Sequence, residues 1–357
     1  MTARENLLAM LRRQGYETVP LEFSLCPSLE AHFKREIGGE CADYMEYFDM
    51  PWRRVGDLLP DDQNISRFLP YYGELGENVK LDEWGVGHES SPNSMHMTKM
   101  LHPLEHAETA QEISEFPIPV YSEENNRWVA KRVQALKEQG LASVGNMQCT
   151  VWETAWYLRG MENLMMDMLS DEEMAEAVFD MVESMSTDRA LLYARAGVDI
   201  LYLGDDIGMQ HSIMMSEELY TEWIYPRLKR IITKVKEIRP DILVFYHSCG
   251  FVEPFIKYLI DAGVDVLNPI QSECMEFEEI YRIYGDRISF HGTIGTQTVM
   301  PFGTPREVKE NVKRNLDIAG SRGGLFVAPT HLLEPEVPWE NILAYVEACR
   351  EYGAGGQ

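Results

Sequence analysis

The chain has 357 residues, a length that suits one α/β barrel with insertions. Its 32 Lys and Arg against 58 Asp and Glu give a formal net charge of -26, which argues against binding to nucleic acid or to an anionic membrane. No apolar run approaches the roughly 18 residues of a membrane span, and six scattered cysteines do not resemble a disulfide framework. We therefore expect a cytoplasmic protein with reduced thiols.

The N-terminal part of the chain is the harder part to assign. Residues 1–13 predict an amphipathic helix with charges inside it rather than a signal peptide, and residues 19–23 predict an opening strand. A further strand is expected within 41–128. Residues 60–128 are rich in Pro, Gly, Asn and acidic residues, and the segments 80–88 and 91–97 within them suggest a hairpin and loops. We expect residues 25–130 to form an insertion-rich region over the mouth of a single domain that spans 1–357.

From about residue 141 onward, short β-rich runs alternate with helical patterns, as is typical of βα units in a parallel sheet. Ser216 and Thr304 look like helix caps because acidic residues follow them closely. The pattern predicts a (β/α)8 TIM barrel. The six predicted strands are 142–147, 199–204, 242–247, 264–270, 287–291 and 324–329.

The predicted strands end in polar residues. In such barrels the active site lies at the carboxyl ends of the strands, so side chains from successive strands converge on one mouth. Five consecutive ends are polar, which indicates a functional site rather than a series of unrelated caps. These ends carry Asp205 and Asp206, His247 and Cys249, Asn268 and Gln271, His291, and Thr330 and His331.

His247 and Cys249 are the strongest pair in this set. Alternate residues of an extended chain point the same way, so imidazole and thiol would face a common point. Zinc accepts this combination, and a catalytic zinc needs about three protein ligands. His331 is the first choice for the third ligand, and Cys274, His291 and Asp206 are the alternatives. The competing interpretation is a partly buried pair packed under a loop.

Other residues of the mouth are assigned by chemistry. Asp206 and His291 are the candidate catalytic groups, either orienting a ligand ring or protonating a leaving group. Aromatic and Met side chains would suit a flat apolar substrate, although such residues are more often ordinary core. The candidate substrate-binding residues are Met147, Tyr202, Met209, Tyr246 and Gln271.

The order and spacing of several segments resemble the uroporphyrinogen decarboxylase superfamily. These segments are 204–210, 216–226, 247–250, 263–271, 301–305 and 337–342. The resemblance implies a barrel and one of two chemistries: metal-free porphyrinogen decarboxylation, or methyl transfer at zinc with a corrinoid protein or a thiol. The decarboxylases carry an arginine-bearing motif after the first strand, and residues 19–28 contain no arginine.

The methyltransferase branch is more similar to this chain. His247 and Cys249 match two of its zinc ligands, and His331 stands where that branch usually has a cysteine, seven residues before Pro338. The resemblance implies a zinc-dependent O-demethylase that moves a methyl group from a small methylated compound, such as an aryl methyl ether, to cobalamin on a corrinoid protein. The alternatives are a metal-independent decarboxylase of a non-porphyrin acid and a non-catalytic relative that binds a corrinoid protein. The sequence leaves the oligomeric state open.

Overall fold

The structure, a computed structural model, describes residues 1–89 and 99–352. Its strands fall into two sheets, a parallel one of seven strands and an antiparallel one of three. In chain order they are β1 (Trp52–Arg54), β2 (Val79–Leu81), β3 (Gly87–Glu89), β4 (Lys99–Leu101), β5 (Ala142–Gln148), β6 (Ile200–Gly204), β7 (Leu243–His247), β8 (Val266–Ile270), β9 (Ser289–Ile294) and β10 (Leu325–Pro329).

The large sheet has the order β1-β5-β6-β7-β8-β9-β10, and all of its strands are parallel. Each of the six strands predicted beyond residue 141 is present within a few residues of its expected bounds. These strands are apolar on both faces because helices cover the outside and side chains fill the inside. The alternation of short strand and longer helix is therefore confirmed for this part of the chain.

Helices follow the strands and form the outer layer. Ser216 and Thr304 cap helices as expected, each accepting a hydrogen bond from a backbone N–H of the first turn. The α-helices of the described residues are α1 (Ala3–Leu11), α2 (Pro27–His32), α3 (Tyr44–Tyr47), α4 (Ala110–Ser114), α5 (Arg127–Glu138), α6 (Trp152–Arg159), α7 (Met161–Ser170), α8 (Glu172–Ala196), α9 (Glu217–Leu219), α10 (Tyr225–Ile238), α11 (Glu253–Ala262), α12 (Phe277–Tyr284), α13 (Val299–Phe302), α14 (Pro305–Ala319) and α15 (Trp339–Glu351).

Three helical turns of other pitch complete the description. Phe33–Ile37 and Tyr220–Ile224 are π-helical, and Ile65–Tyr71 is a 3-10 helix. The π-helical turn at Tyr220–Ile224 lies between α9 and α10, so the helical stretch that Ser216 caps has a change of pitch near its start. In the described residues, no helix has both the length and the apolar character that crossing a membrane requires.

The large sheet curls so that side chains of its two edge strands contact each other in the interior. The rings of Trp52 on β1 and Phe326 on β10 lie 5.3 Å apart, at the two ends of the strand order. Both belong to an inner apolar cluster that also contains Tyr202 and Phe245 from β6 and β7. Leu7 and Leu8 of α1 pack into the same cluster. The interior is therefore a packed core with helix α1 against it.

The expected opening strand at 19–23 is wrong. In that region Leu25 alone forms a bridge, and its partner Leu333 lies beyond the end of β10. Pro20 has no N–H to donate to a ladder, which disfavours regular pairing there. The strand expected within 41–128 is β1. The described residues thus form a curled parallel sheet of seven strands, and the eight-stranded barrel is met only in part.

The region 25–130 contributes to two places. Strands β2, β3 and β4 form the antiparallel sheet, so the hairpin suggested at 80–88 is present, whereas 91–97 lies outside the described residues. Trp84 beside β3 packs on α8, with the Arg189 guanidinium 5.0 Å from its ring. Tyr44, Met45 and β1 instead line a cavity at the mouth. Coverage of the mouth by the whole region stays a prediction.

Candidate metal and substrate site

A cavity of about 590 Å³ opens at the carboxyl ends of the large sheet's strands. Its lining comes from β1, β5, β6, β7, β8 and β9 and from the segments around residues 22 and 331. His247, Asn268 and His291 contribute polar side chains that were expected from the strand ends, and Thr330 and His331 line the cavity as well. The cavity is therefore where the predicted convergence of strand ends takes place.

Asp206, His247 and Cys249 form a compact group of possible metal donors at this mouth. One donor atom from each lies within 4.8 Å of the others. His247 Nε2 is 3.6 Å from Cys249 Sγ and 3.6 Å from Asp206 Oδ1. The backbone N–H of Cys249 donates to Asp206 Oδ1 at 2.7 Å, which holds the carboxylate beside the His-x-Cys turn.

The close packing of β6 on β7 brings these residues together. Gly204, the last residue of β6, lies opposite His247 in the strand register. A Cβ at position 204 would lie 2.6 Å from the His247 carbonyl oxygen and 2.7 Å from its Cβ, so only glycine fits. Asp206 follows two residues later and reaches across to the turn after β7. Gly204 therefore sets the spacing between the carboxylate and the imidazole.

The distances fit a tetrahedral divalent metal. With bonds of about 2.3 Å to sulfur and about 2.05 Å to nitrogen, tetrahedral donors are separated by about 3.5 Å, and a nitrogen and oxygen pair by about 3.4 Å. Both observed separations are 3.6 Å. Nitrogen, sulfur and carboxylate oxygen are also the donor types that zinc accepts. The donor types and these two separations thus fit the metal, and the separation between Cys249 and Asp206 is within 4.8 Å.

Asn268 fixes the orientation of His247. Its Oδ1 accepts a hydrogen bond from His247 Nδ1 at 2.6 Å and another from the Tyr202 hydroxyl at 2.6 Å. Because a carboxamide oxygen can only accept, His247 carries its proton on Nδ1 and leaves the Nε2 lone pair facing Cys249 and Asp206. This is the tautomer that binds a metal through Nε2.

The side chain of Asn268 also extends this series of hydrogen bonds to His291 and Glu22. Asn268 Nδ2 donates to Nδ1 of His291, so the remaining ring proton of His291 lies on Nε2 and is donated to Glu22 Oε2 at 3.1 Å. His291 and Asn268 are buried, and all five residues joined by these hydrogen bonds line the cavity. We call the set Glu22, Tyr202, His247, Asn268 and His291 the bonded wall. Every hydrogen-bonding direction along it follows from the single orientation of Asn268.

Burial sets the protonation of the two strongest donor candidates. It lowers the pKa of His247, which keeps the imidazole neutral with Nε2 available. It also raises the pKa of the Cys249 thiol, with the carboxylates of Asp206 and Glu153 acting in the same direction. A bound cation reverses that effect by stabilising the thiolate. The negative surroundings of this thiol thus favour a positively charged ligand.

Neighbouring Asp205 has a different task. It is fully buried, and its Oδ1 accepts backbone N–H bonds from Thr150, Val151 and Glu153 at 3.0, 3.0 and 2.9 Å. These are the unsatisfied donors at the start of α6, so the carboxylate caps that helix from the end of the neighbouring strand. Of the two adjacent acids, Asp206 therefore belongs to the donor group and Asp205 to the helix cap.

Comparison with known proteins assigns the family. The model of the family described as Uroporphyrinogen decarboxylase (URO-D) matches residues 95–352, well over half of the chain. The chain belongs to the uroporphyrinogen decarboxylase family. The superfamily resemblance seen in the sequence is thereby confirmed.

Relatives of this family member include two kinds of enzyme. This chain is 29% identical to a methylated-thiol–coenzyme M methyltransferase of Methanosarcina mazei over 207 residues, which are 55% of this chain and 50% of that protein. It is 26% identical to a methylcobamide:CoM methyltransferase of Methanosarcina barkeri over 182 residues, 50% of each. A uroporphyrinogen decarboxylase of Rickettsia africae is 28% identical over 185 residues, 50% of this chain and 49% of that protein. The chain spans about half the length of these curated relatives.

A solved structure described as a methyltransferase from Methanosarcina mazei covers 99% of this family member and 99% of its own chain. Its TM-score is 0.68 at 18% sequence identity. At that identity the likeness concerns the fold alone. It extends over the N-terminal region as well as the large sheet.

The predicted substrate residues fall into three places. Tyr202 lies in the bonded wall. Met209 and Gln271 line a second cavity of about 400 Å³, which also contains Cys249 and meets the first at residues 330–332. Met147 and Tyr246 are buried on the opposite face of their strands, in the cluster between sheet and helices. The structure therefore does not bring those last two to the mouth.

His331 and Cys274, the other candidate ligands, lie close to the donor group without joining it. His331 is exposed on the loop after β10 and lines both cavities. Cys274 lies in a turn after β8, where its backbone N–H donates to the Gln271 carbonyl. Among the described residues, the donor group contains Asp206, which the sequence offered as an alternative third ligand.

Sequence reasoning missed two acids of the site. Glu22 is an isolated acid between Leu21 and Phe23, and an acid within a buried apolar run is itself a signal of a specific partner. Glu153, in the first turn of α6, accepts the backbone N–H of Asp206 at 3.1 Å. Burial and the charge of Asp206 raise the pKa of Glu153 to about 7. No spacing pattern in the sequence connects either acid to His247.

Proposed function

We propose that this protein is a zinc-dependent methyltransferase that removes a methyl group from a small methylated compound and delivers it to a corrinoid carried by a partner protein. The observation that carries the proposal is the group of Asp206, His247 and Cys249 at tetrahedral spacing on the wall of a cavity. Two methyltransferases among the relatives support the reaction class, and one of them is named for a methylcobamide.

His247 and Cys249 would hold the metal, with Asp206 as the nearest third donor. Zinc supplies a Lewis acid, which stabilises negative charge on the atom that loses the methyl group. His331 lies on the adjoining loop and becomes the third ligand if the loop closes over the cavity. The variants Asp206→Asn and His331→Asn distinguish these two arrangements. Only the variant that replaces the third ligand should retain the metal less well.

The chemistry also requires a proton. The methyl group leaves without the electron pair of its bond, so a donor oxygen keeps that pair and gains a proton, while the acceptor supplies the pair for the new bond. We assign the proton to the pair of His291 and Glu22, which line the cavity and share a proton between Nε2 and Oε2. Asp206 takes this role if His331 completes the donor set.

An aryl methyl ether is the finer proposal for the donor. Trp52 and Tyr202 line the cavity with ring centroids 6.5 Å apart, and aromatic surfaces of this kind suit a flat ring. Phenoxide is a poor leaving group at neutral pH, so an ether gains from both the Lewis acid and the proton.

The test is methyl transfer to reduced cobalamin, followed by the absorbance of methylcobalamin. Zinc-loaded protein is offered methoxybenzenes, methoxybenzoates, methanol and methylated thiols, and the reverse reaction is run from methylcobalamin with phenols and thiols. We expect turnover that is lost on chelation and in His247→Ala, and kept in His106→Ala, which replaces an exposed histidine. Absence of transfer in both directions with every donor class would overturn the proposal.

The decarboxylase alternative has one observation in its favour, a uroporphyrinogen decarboxylase relative of similar identity. It predicts release of carbon dioxide from an organic acid without metal. Chelated protein that keeps full decarboxylase activity would favour this function over methyl transfer.

A further inference from the structure

The cavity has a second polar wall, formed by β1 and β5, which we call the open wall. It consists of Arg54, the last residue of β1, and Gln148, the last residue of β5, which both line the cavity, with Asn146 two residues before Gln148 on the same face of β5. Within residues 1–89 and 99–352, the side chains of Arg54 and Gln148 have no hydrogen-bond or ion-pair partner. Asn146 Oδ1 is buried and also unpartnered. Arg54 is exposed and Gln148 is half-buried, so water can solvate both in place of a protein partner, and of these three residues only Asn146 departs from the rule that buried polar groups have partners. This wall differs from the bonded wall opposite because its side chains are open to a ligand.

Strand geometry places these side chains on the inner face. Side chains alternate along a strand, and Trp52 and Val144 belong to the inner cluster. Arg54 follows Trp52 by two residues and pairs in register with Val144, and both Arg54 and Gln148 line the cavity. The Tyr202 side chain lines the same cavity. The guanidinium is therefore near the cavity's aromatic residues.

We propose that the open wall binds the carboxylate of the methyl donor, with Arg54 as its cation and Gln148 as a further hydrogen-bond donor. This inference rests on the proposed function and narrows the substrate to methylated compounds that carry a carboxylate. Arginine presents a planar fork of N–H groups that matches a carboxylate in a bidentate manner.

Charge favours a singly charged anion. The protein has a formal net charge of -26, and Glu22 adds a carboxylate to the same cavity. Arg53 also lines the cavity, but its guanidinium donates hydrogen bonds to the carbonyl oxygens of Met50 and Trp52. Arg54 is therefore the guanidinium left to balance one negative charge, whereas a phosphate dianion would need a second free cation. A cationic donor, such as a quaternary amine, would be repelled by Arg54.

Position favours a donor that spans the cavity. Strands β5 and β6 separate β1 from β7 in the sheet, which is roughly 14 Å along the sheet and less across its curl, at about 4.8 Å per strand. A carboxylate at Arg54 and a methyl group beside His247 would therefore lie at opposite ends of one small molecule. Trp52 and Tyr202 line the same cavity and would contact the ring.

The experiment compares wild-type protein, Arg54→Met and Arg54→Lys. The donors are 3- and 4-methoxybenzoate, the neutral analogue anisole, 4-methoxybenzenesulfonate and 4-methoxyphenyl phosphate. We expect wild-type kcat/KM for a methoxybenzoate to exceed that for anisole by at least about 10-fold. Arg54→Met should raise KM for methoxybenzoate about 10- to 100-fold and change anisole kinetics less than about 2-fold, with Arg54→Lys between the two. Arg306→Met, a change on the outer helix α14, is the control and should match wild type.

Calorimetric binding of 4-methoxybenzoate to the same zinc-loaded variants makes the inference testable apart from turnover. If 4-methoxybenzoate binds less tightly to Arg54→Met and no donor gives methyl transfer, the carboxylate site is supported and the proposed reaction is overturned. Transfer from anisole as efficient as from methoxybenzoate, or equal loss for both donors in Arg54→Met, overturns the carboxylate site and leaves methyl transfer intact. Preference for the sulfonate or the phosphate likewise overturns the carboxylate assignment.

Discussion

The bonded wall and the open wall lie in the same curled sheet but differ in how their polar groups are satisfied. On the bonded wall, Asn268 connects Tyr202, His247 and His291, and the chain ends on Glu22. On the open wall, Arg54 and Gln148 have no partner among the described residues. A satisfied network holds groups in fixed positions, whereas unsatisfied groups are available to a ligand. The comparison therefore suggests that one wall orients the metal site and the other selects the substrate.

Removing a donor from the cluster should have the largest effect. We expect Cys249→Ala to lower the rate of methyl transfer roughly 100-fold or more. Replacing a residue that only hydrogen-bonds to a metal ligand can already cause a loss of that size. The stability of the metal-free protein should change little because Cys249 lies at the mouth rather than in the core. Activity and zinc content of the purified variant measure this.

Cys274→Ala is the matched control, since it removes a thiol from the neighbouring turn. It should retain zinc and activity. If Cys274→Ala loses the metal and Cys249→Ala does not, the donor set has been assigned to the wrong thiol.

Replacing the central carboxamide of the bonded wall should come next. Asn268→Leu leaves Tyr202, His247 and His291 without their partner, so we expect a loss of roughly 2–5 kcal/mol in the free energy of unfolding. Zinc affinity, measured by competition with a chelator, should fall roughly 10- to 100-fold because His247 is no longer held in one tautomer.

Asn146→Leu makes the same change on the open wall. The Oδ1 atom there accepts no hydrogen bond, so denaturant unfolding should show a much smaller loss than in Asn268→Leu, and zinc affinity should stay at the wild-type value. Equal losses in the two variants would show that the walls do not differ in the proposed way.

The two adjacent acids after β6 should separate stability from metal binding. Asp205→Ala removes the acceptor that caps α6, and we expect a loss of about 1–2 kcal/mol, as for other helix caps. Asp206→Ala should reduce zinc retention with a smaller change in stability, because its side chain is 40% exposed. Thermal unfolding of the metal-free proteins and chelator competition provide the two measurements. If Asp205→Ala instead lost zinc and Asp206→Ala instead lost stability, the roles assigned to the two acids would be wrong.

The smallest effect should come from Arg54 on stability. Arg54→Met removes a side chain with no partner in the described residues, so the free energy of unfolding should change by less than about 0.5 kcal/mol. A larger loss in urea unfolding would mean that Arg54 supports the fold rather than awaiting a ligand.

The sequence predicted the parallel part of the fold because the period of apolar residues changes between strand and helix along the chain. It also identified His247, Cys249 and Asp206 as metal candidates, since residues near strand ends face one mouth. The opening strand at 19–23 was wrong because apolar character alone does not specify a pairing partner. The segment instead has Leu25 bridging to Leu333, a loop residue.

Other parts of the site depend on contacts between residues distant in sequence. Glu22 meets His291 across 269 positions of the chain. Met147 and Tyr246 were chosen for the site by residue type, yet strand alternation turns them to the outer face. Asn268 was identified as a polar strand end, but its role depends on its hydrogen bonds to Tyr202, His247 and His291. These relations require the curl of the sheet and the register of its strands.

The most direct test of the account is the zinc content of protein purified from zinc-supplemented cells, measured by mass spectrometry of the metal. The account predicts about one zinc per chain in wild-type protein and in Cys274→Ala, and almost none in the double variant His247→Ala/Cys249→Ala. Wild-type protein without zinc, or a double variant that retains a full equivalent, would contradict it.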